Sequence, residues 1–301
     1  MLETTLVSKA SEKQILNKGL TLKIGPFSIN IKSSEKLCAS TFCDIYQGFT
    51  LLPPDEYVDF YINLQKPKNL RRFVRPYVDF LFDGKKPFKP LATNEVFPFF
   101  EWGLNWCVAT HAHHYFMLHS AVVEKDGNII IFPAAPGSGK STLSACLMLS
   151  GWKLFSDEFA LLSKDINTIT PFGRPVSLKN ESINVVENKF NIQVNSLVTG
   201  TAKGDVAHLM HHNIIKDTKP LKLRNIFLIF PTYKPKAKTS LTPLSPAQAF
   251  IPLVEQSFNY NQLGVDGFKS AKALIDNSQQ YSFEYSNIDE AIQLFNELVT
   301  N

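Results

Sequence analysis

The sequence is poor in cysteine and in charge and has no long apolar run, and each shortage excludes a class of protein. It contains 4 cysteines among 301 residues, and none of them forms the close pair that a zinc ribbon or a redox site needs. We expect reduced, mostly buried thiols. No apolar run approaches the roughly 20 residues of a membrane span, and Met1 to Asn17 has no signal-like apolar core. This pattern predicts a cytoplasmic protein that has no membrane partner.

Charged residues make up only 19% of the chain, and 31 basic against 27 acidic side chains leave a net charge of +4. An excess this small and scattered does not indicate a nucleic-acid partner. The chain is instead rich in apolar residues, since 44% are hydrophobic, 12% are aromatic and 24 are phenylalanine. This composition argues against a disordered chain and can fill the core of one large or two ordinary domains.

Residues 1–90 have the pattern of a small β-rich domain. Four stretches cluster or alternate β-branched and aromatic side chains between Gly, Pro and Asp: Leu20 to Ile24, Phe27 to Ile31, Tyr57 to Leu64 and Val74 to Phe82. After them, Asn94 to His114 has apolar residues on helical faces, with Asn94 as the candidate N-cap. We place the domain boundary between Pro87 and Asn94, which gives domains of residues 1–90 and 91–301.

From Tyr115 onward the pattern is that of an α/β fold. Tyr115 to Val123 and Asn128 to Phe132 predict two strands around a tight turn, a pattern that favours an antiparallel pair. The second strand continues into a glycine-rich segment and then into the helix Lys140 to Leu149. Short strands are expected on both sides of Ser156-Asp157-Glu158.

The remainder of the chain mixes polar stretches with a few strongly apolar ones. Phe172 to Asn213 is polar and weakly periodic, which is typical of active-site loops or a mobile lid. Asn225 to Phe230 predicts a buried strand, and Pro231 to Pro246 predicts an exposed loop. Two helices are expected near the C-terminal end, Ala247 to Phe258 and Ile288 to Leu298.

A candidate phosphate-binding loop follows a predicted strand and opens a predicted helix. It comprises Pro136, Gly137, Ser138, Gly139, Lys140, Ser141 and Thr142. Glycines let backbone N–H groups turn toward a phosphate, and the helix N-terminus adds unpaired donors. Lys140 is then expected to reach the β and γ phosphates of ATP, and Ser141 to bind Mg²⁺. The alternative is a turn that merely uses glycines, and the usual first glycine of the motif is Ala134 here.

Three further side chains are candidates for chemistry at the γ phosphate. Asp157 and Glu158 follow a short predicted strand, where one carboxylate is expected to bind Mg²⁺ and another to accept a proton from an attacking hydroxyl. His119 lies on the strand before the loop strand, 21 residues before Lys140. The alternatives are a turn acid between two strands and a core histidine with satisfied hydrogen bonds.

The order and spacing of these residues resemble the kinase domain of HPr kinase/phosphorylase, a bacterial enzyme that phosphorylates a serine of a protein. The chain is more closely similar to the HprK-related kinase A family, over about residues 95–301. Besides the loop, the resemblance is carried by Leu118-His119-Ser120, Ser156-Asp157-Glu158, Arg174-Pro175-Val176-Ser177-Leu178-Lys179-Asn180 and Ser257-Phe258-Asn259-Tyr260. It implies an HPr-kinase/PEP-carboxykinase-like α/β kinase domain with a mixed sheet, preceded by a smaller β-rich domain.

The resemblance also implies roles for individual residues. Asp157 becomes the catalytic base and His119 its partner, while Ser141, Glu158 and Asp157 become ligands of Mg²⁺. The sequence departs from the HPr kinases in two respects: the second acid is Glu158 where they have aspartate, and their Glu-x-Arg-Gly signature is absent. We therefore expect different substrate and second-metal contacts, and we do not assume phosphorylase activity toward HPr.

The function expected from these residues is an ATP- and Mg²⁺-dependent kinase that phosphorylates a serine or related hydroxyl of a peptide or small protein. The HprK-related group resembles parts of peptide-modification systems, which implies a PqqD-like peptide-binding companion, and the HPr kinases imply a homo-oligomer. Two alternatives stay open: a small-molecule hydroxyl kinase, and a regulator that senses ATP without catalysis. A sensor needs no base beside the γ phosphate, so His119 and Asp157 argue against it.

Several further residues are weaker candidates for contact with a ligand. Arg174 and Lys179 lie in a segment that could reach the phosphates or the acceptor, although Arg174 has the alternative of a solvated turn residue. Arg224 and Lys203-Gly204-Asp205 are poorer candidates for contact with the nucleotide. Two groups of histidines lack an acidic or thiolate partner at a zinc spacing: His111, His113 and His114, and His208, His211 and His212.

Overall fold

The computed structural model describes residues 5–53, 55–67, 76–216 and 219–300. These residues form a mixed α/β structure that contains several sheets. In chain order the helices and strands are α1 (Glu12–Asn17), β1 (Leu20–Ile24), β2 (Phe27–Ser33), α2 (Lys36–Ile45), β3 (Phe60–Gln65), β4 (Tyr77–Phe82), β5 (Leu91–Ala92), α3 (Val96–His111), β6 (Tyr115–Lys125), β7 (Asn128–Pro133), α4 (Lys140–Leu149), β8 (Lys153–Ser156), β9 (Phe159–Ser163), β10 (Thr168–Thr170), β11 (Val176–Lys179), α5 (Glu181–Phe190), β12 (Ser196–Thr201), β13 (Gly204–Leu209), β14 (Leu221–Lys222), β15 (Ile226–Tyr233), β16 (Ser240–Pro243), α6 (Pro246–Glu255), α7 (Tyr260–Leu263), α8 (Val265–Asp276), β17 (Ser278–Tyr285) and α9 (Ile288–Thr300).

The chain divides into two compact units. The first comprises Met1–His111 and Val194–Leu209, and the second comprises Ala112–Gln193 and Met210–Asn301. This division differs from the boundary expected near residue 90, because helix α3 packs against strands β3 and β4 of the first unit. The hairpin of β12 and β13 also belongs to the first unit, although it lies far along the chain.

The first unit is built on a five-stranded mixed sheet in the order β1-β2-β3-β4-β5. Strands β2 and β3 run parallel, and the other neighbours run antiparallel. The four strands predicted before residue 90 are confirmed as β1 to β4, and β4 begins at Tyr77. The predicted residues Val74 and Arg75 lie outside the described residues. The prediction missed α1 and α2, although α2 buries Cys38, Ala39, Phe42, Cys43 and Ile45 at helical spacing.

The core of the first unit is aromatic. The rings of Phe42 and Tyr46 stack with centroids 4.5 Å apart, and the Tyr46 hydroxyl donates a hydrogen bond of 2.7 Å to the buried Glu101 carboxylate. The prediction of reduced, buried thiols is confirmed, since all four cysteines of the chain are free and buried. Burial raises the pKa of Cys38 to about 12, so this thiol is not reactive at neutral pH.

Gly103 of α3 permits close packing of this helix on the sheet. A Cβ at this position would lie 2.0 Å from the Phe80 ring, although alanine otherwise favours a helix over glycine by about 1 kcal/mol. Because the core is closely packed, we expect Gly103→Ala to lower the free energy of unfolding by about 1–3 kcal/mol in urea denaturation. The Gly103→Ala/Phe80→Leu double variant makes room for the methyl group and should recover part of the loss. A single variant at least as stable as the unmodified protein would contradict this packing.

The second unit is built on a nine-stranded mixed sheet. Its order is β14-β10-β9-β6-β7-β15-β17-β16, and β8 pairs with β6 beside this path. Strands β7, β15 and β17 run parallel, whereas β6 runs antiparallel to β7, β8 and β9. The predicted antiparallel pair and the predicted helix Lys140 to Leu149 are confirmed. The carboxyl ends of the three parallel strands therefore meet at the edge of the sheet where α4 begins.

Three local predictions are wrong. Asn94 is not the N-cap of α3, because Thr93–Glu95 forms a separate 3₁₀ turn and the helix begins at Val96. Phe172 to Asn213 is not a set of loops, since it contains β11, α5, β12 and β13. Pro231 to Pro246 contains the end of β15 and the strand β16, which pairs with β17.

Among the described residues, none of the helices combines the length and the apolar character that crossing a bilayer requires.

Candidate active site

The segment between β7 and α4 contains two glycines in the left-handed region of backbone conformation. Gly137 and Gly139 have φ angles of +89° and +85°, which residues with a side chain rarely adopt. Gly139 is also closely packed, because a Cβ there would lie 2.4 Å from the Tyr285 hydroxyl. This hydroxyl donates a hydrogen bond of 3.1 Å to the Gly139 carbonyl, and the backbone N–H of Tyr233 donates to the Ser138 carbonyl at 3.0 Å. The ends of β15 and β17 thus hold the loop in place.

Lys140 opens α4, and its side chain is buried. Its Nζ atom lies 3.0 Å from Nε2 of His119 on β6. Burial lowers the pKa of Lys140, while the negative charges of Glu158 and Asp157 act in the opposite direction. The ammonium group therefore lies near both carboxylates at the N-terminal end of a helix, where phosphate groups are stabilised.

Asp157 and Glu158 occupy the short connection between β8 and β9. The Ser156 hydroxyl accepts hydrogen bonds from the backbone N–H groups of Glu158 and Phe159 at 3.3 and 3.0 Å, which fixes the turn. Because β8 and β9 both pair with β6, the turn lies beside the strand that carries His119. The prediction that short strands surround these acids is confirmed.

Asp157 is almost completely buried. Its Oδ1 atom accepts a hydrogen bond of 2.7 Å from the Ser144 hydroxyl, one helical turn after Ser141. Its Oδ2 atom is buried and has no hydrogen-bond partner among the described residues. Burial and the charge of Glu158 raise the pKa of Asp157, while the charge of Lys140 and the serine hydroxyls act in the opposite direction. One carboxylate oxygen is thus left for a ligand or a proton.

Glu158 has a different environment from its neighbour. Its Oε2 atom lies 3.2 Å from Nε2 of His119. Burial alone would raise the pKa of Glu158, but the hydrogen bond from His119 and the charge of Lys140 outweigh it and lower the pKa to about 2. Glu158 is therefore held as a carboxylate, and the adjacent acids are driven in opposite directions by their surroundings.

The segment after α6 fixes the position of His119. The Gln256 carbonyl accepts a hydrogen bond of 2.7 Å from the backbone N–H of His119. The ring of Phe258 lies edge-on to the His119 ring, with centroids 5.7 Å apart. The buried Asn259 side chain hydrogen-bonds two backbone groups of β6, at 3.0 and 2.8 Å. These contacts explain why Ser257 to Tyr260 belongs with the site although it lies far from it in sequence.

The structure brings together four of the side chains to which the sequence assigned chemistry. They are His119, Lys140, Asp157 and Glu158. The partner of His119 differs from the expectation. The resemblance paired His119 with Asp157, whereas the carboxylate in contact with it is that of Glu158. Ser144 and Tyr285, which contact Asp157 and the loop, were not among the predicted residues. Ser144 could have been found from the sequence, because it lies one helical turn after the loop residue Ser141. Tyr285 could not, because it lies on a strand that was not predicted.

Arg174 and Lys179 lie on the segment from β10 to β11. Arg174 is buried, and its guanidinium carbon lies 4.9 Å from the centroid of the Phe172 ring, so the alternative of a solvated turn residue is wrong. Phe172 packs against Phe159, the residue after Glu158. The Lys179 side chain is close enough for its charge to lower the pKa values of both Lys140 and Glu158. The segment therefore adds positive charge near the carboxylates.

A glycine-rich loop, a buried lysine, two carboxylates and a histidine thus meet in the second unit. Such a set can bind phosphate groups and exchange a proton. Among the described residues, no three or more His, Cys, Asp or Glu side chains are grouped so that they could hold a metal ion by themselves. Neither of the two histidine clusters forms such a group. No protein-family model matches the chain, and no curated protein matches it at a significant level.

Proposed function

We propose that this protein is an ATP- and Mg²⁺-dependent kinase of the HPr kinase-like type. It transfers the γ-phosphoryl group of ATP to a serine, or a related hydroxyl, of a peptide or small protein. The observation that carries the proposal is the convergence of Lys140, His119 and the Asp157-Glu158 pair at the end of a glycine loop with two left-handed residues. Phosphoryl transfer needs mainly positioning and charge neutralisation, which such a set supplies.

The residues present fit a magnesium nucleotide. Two buried oxygens, Oδ2 of Asp157 and Oγ of Ser138, have no hydrogen-bond partner among the described residues, so both are available to a ligand. Mg²⁺ takes one or two protein oxygens and completes its coordination with phosphate oxygens and water. Ser141, Glu158 and Asp157 are the residues that would hold it, and the ion would neutralise charge on the β and γ phosphates. The loop backbone and Lys140 would hold the phosphates.

The two acids are suited to different tasks. Asp157 keeps one oxygen without a partner, and we assign it the role of the base that accepts the proton of the acceptor hydroxyl. Glu158 is held as a carboxylate by His119 and Lys140, which suits a group that binds a cation. His119 then acts through Glu158 and Lys140 as a positioning residue.

The acceptor class is inferred from the resemblance and not from a contact. A peptide or small protein with an acceptor serine, a PqqD-like companion that presents it, a cytoplasmic location and a homo-oligomer all belong to this proposal. Arg174 and Lys179 are proposed to stabilise the charge that spreads over the transferred group.

Incubation with γ-labelled ATP, Mg²⁺ and synthetic serine-containing peptides encoded beside this chain tests the function. We expect label on a peptide serine, located by mass spectrometry, and no label when Mg²⁺ is removed with a chelator. Label only on free metabolites would favour the small-molecule kinase. ATP binding without any transfer would favour the sensing regulator, and no ATP binding would contradict the nucleotide site itself.

A further inference from the structure

A shallow, open cleft of about 900 Å³ lies at the carboxyl ends of β15 and β17. Its lining includes Tyr233, the last residue of β15, and Lys236, Asn287 and Asn188 from the segments around it. The two strands are parallel and end in register, with Tyr233 opposite Tyr285. Clefts at the carboxyl ends of parallel strands are the usual ligand sites of open α/β sheets.

The cleft is joined directly to the phosphate-binding loop. The backbone N–H of Tyr233 donates to the Ser138 carbonyl at 3.0 Å, and a Cβ at Gly139 would lie 3.0 Å from the Cβ of Tyr233. In the sheet, β7 lies between β6 and β15. The acids and His119 are therefore on the β6 side of the loop strand, and the cleft is on the β15 side.

The walls of the cleft are ordered by hydrogen bonds. The Tyr285 carbonyl accepts a bond of 3.0 Å from the Lys234 N–H, and the Ser286 hydroxyl donates one of 2.8 Å to the Ala237 carbonyl. The Tyr233 ring lies edge-on to the Tyr285 ring, with centroids 5.7 Å apart. The Tyr233 ring thus packs against Tyr285, while the residue as a whole is 47% exposed.

We propose that this cleft binds the nucleoside end of the nucleotide. The planar base stacks on the Tyr233 ring, as bases commonly stack on aromatic side chains. The Asn188 amide and the Lys236 ammonium group also line the cleft, and they supply polar contacts to the base and ribose. The inference rests on the proposed function, because it requires the loop to bind the phosphates of the same ligand.

Calorimetric titration with two magnesium complexes, ATP and inorganic tripolyphosphate, separates the two ends of the ligand. We expect the unmodified protein to bind ATP more tightly than tripolyphosphate. Tyr233→Ala should weaken ATP binding by about tenfold through the loss of stacking and leave tripolyphosphate binding unchanged. Tyr233→Phe should retain ATP binding. Tyr61→Ala, which removes a tyrosine that is 53% exposed on β3, is the matched control and should change neither affinity.

The outcomes distinguish this inference from the proposed function. Equal weakening of both ligands by Tyr233→Ala would mean that Tyr233 only supports the loop, and it would overturn the nucleoside site. Unchanged affinity for both ligands, or equal affinity of the unmodified protein for ATP and tripolyphosphate, would overturn it as well. Failure of the unmodified protein to bind either ligand would instead overturn the phosphate loop, and the inference with it.

Discussion

Replacing Lys140 by methionine is expected to weaken ATP binding by at least about 100-fold, close to abolishing it. A charge-assisted hydrogen bond is worth roughly 1.5–3 kcal/mol, and the lysine is expected to contact two phosphates. The substitution also leaves the carboxylates of Glu158 and Asp157 near the loop without the cation that now opposes their charge. The phosphates would then meet repulsion in place of attraction.

Calorimetric titration with Mg²⁺ and ATP measures this effect directly. Lys153→Met is the matched control, because Lys153 is an exposed lysine of β8 that pairs with Glu124 at 2.9 Å, and it should bind ATP like the unmodified protein. Thermal unfolding of both variants shows whether the fold is kept. Retained ATP affinity in a folded Lys140→Met variant would refute the role of the loop.

The parts of the site that lie close together in sequence could be predicted, because short-range rules determine them. The strand, loop and helix around Lys140 are such a case, since glycine conformation and helix termini are local properties. The turn that carries Asp157 is another, since short apolar strands flank it. The strands of the first unit were likewise found, because clustered or alternating β-branched and aromatic residues are a local pattern.

The parts that failed depend on contacts between distant segments. The partner of His119 is set by a register in which β9 and β8 both pair with β6, and no local pattern encodes that pairing. The polar stretch from residue 172 to 213 has weak periodicity because strands such as β12 bury few side chains. Tyr285 was missed for a similar reason, because β17 mixes polar and aromatic residues.

Replacing Asp157 by asparagine is expected to abolish phosphoryl transfer while ATP binding is preserved. A positioned general base typically contributes about 10²- to 10⁴-fold to a rate. We therefore expect the rate of transfer from γ-labelled ATP to the acceptor peptide to fall by at least about 100-fold. The Ser144 hydroxyl can still donate to the remaining side-chain oxygen, as it now does to Oδ1 of Asp157 at 2.7 Å. The site should therefore keep its shape.

The stability of this variant gives an independent check. Because burial raises the pKa of Asp157, the folded protein disfavours the ionised carboxyl more than the unfolded chain does. The resulting penalty is absent below the unfolded pKa of about 3.9 and grows as the pH rises toward the folded pKa. Asp157→Asn removes it, so the variant should unfold at neutral pH at no lower temperature than the unmodified protein. Lost transfer would then not be due to unfolding.

Asp165→Asn provides the matched control, because it makes the same chemical change at an exposed carboxylate between β9 and β10, and it should leave transfer unchanged.

Measurements at several Mg²⁺ concentrations separate the roles of Asp157 and Glu158. Loss of transfer at every Mg²⁺ concentration with intact ATP affinity identifies Asp157 as the base, whereas rescue by high Mg²⁺ would show that Asp157 serves only as a metal ligand. Glu158→Gln should show the opposite pattern, with activity restored by added Mg²⁺. Full transfer by Asp157→Asn would reject the role of Asp157 as the base.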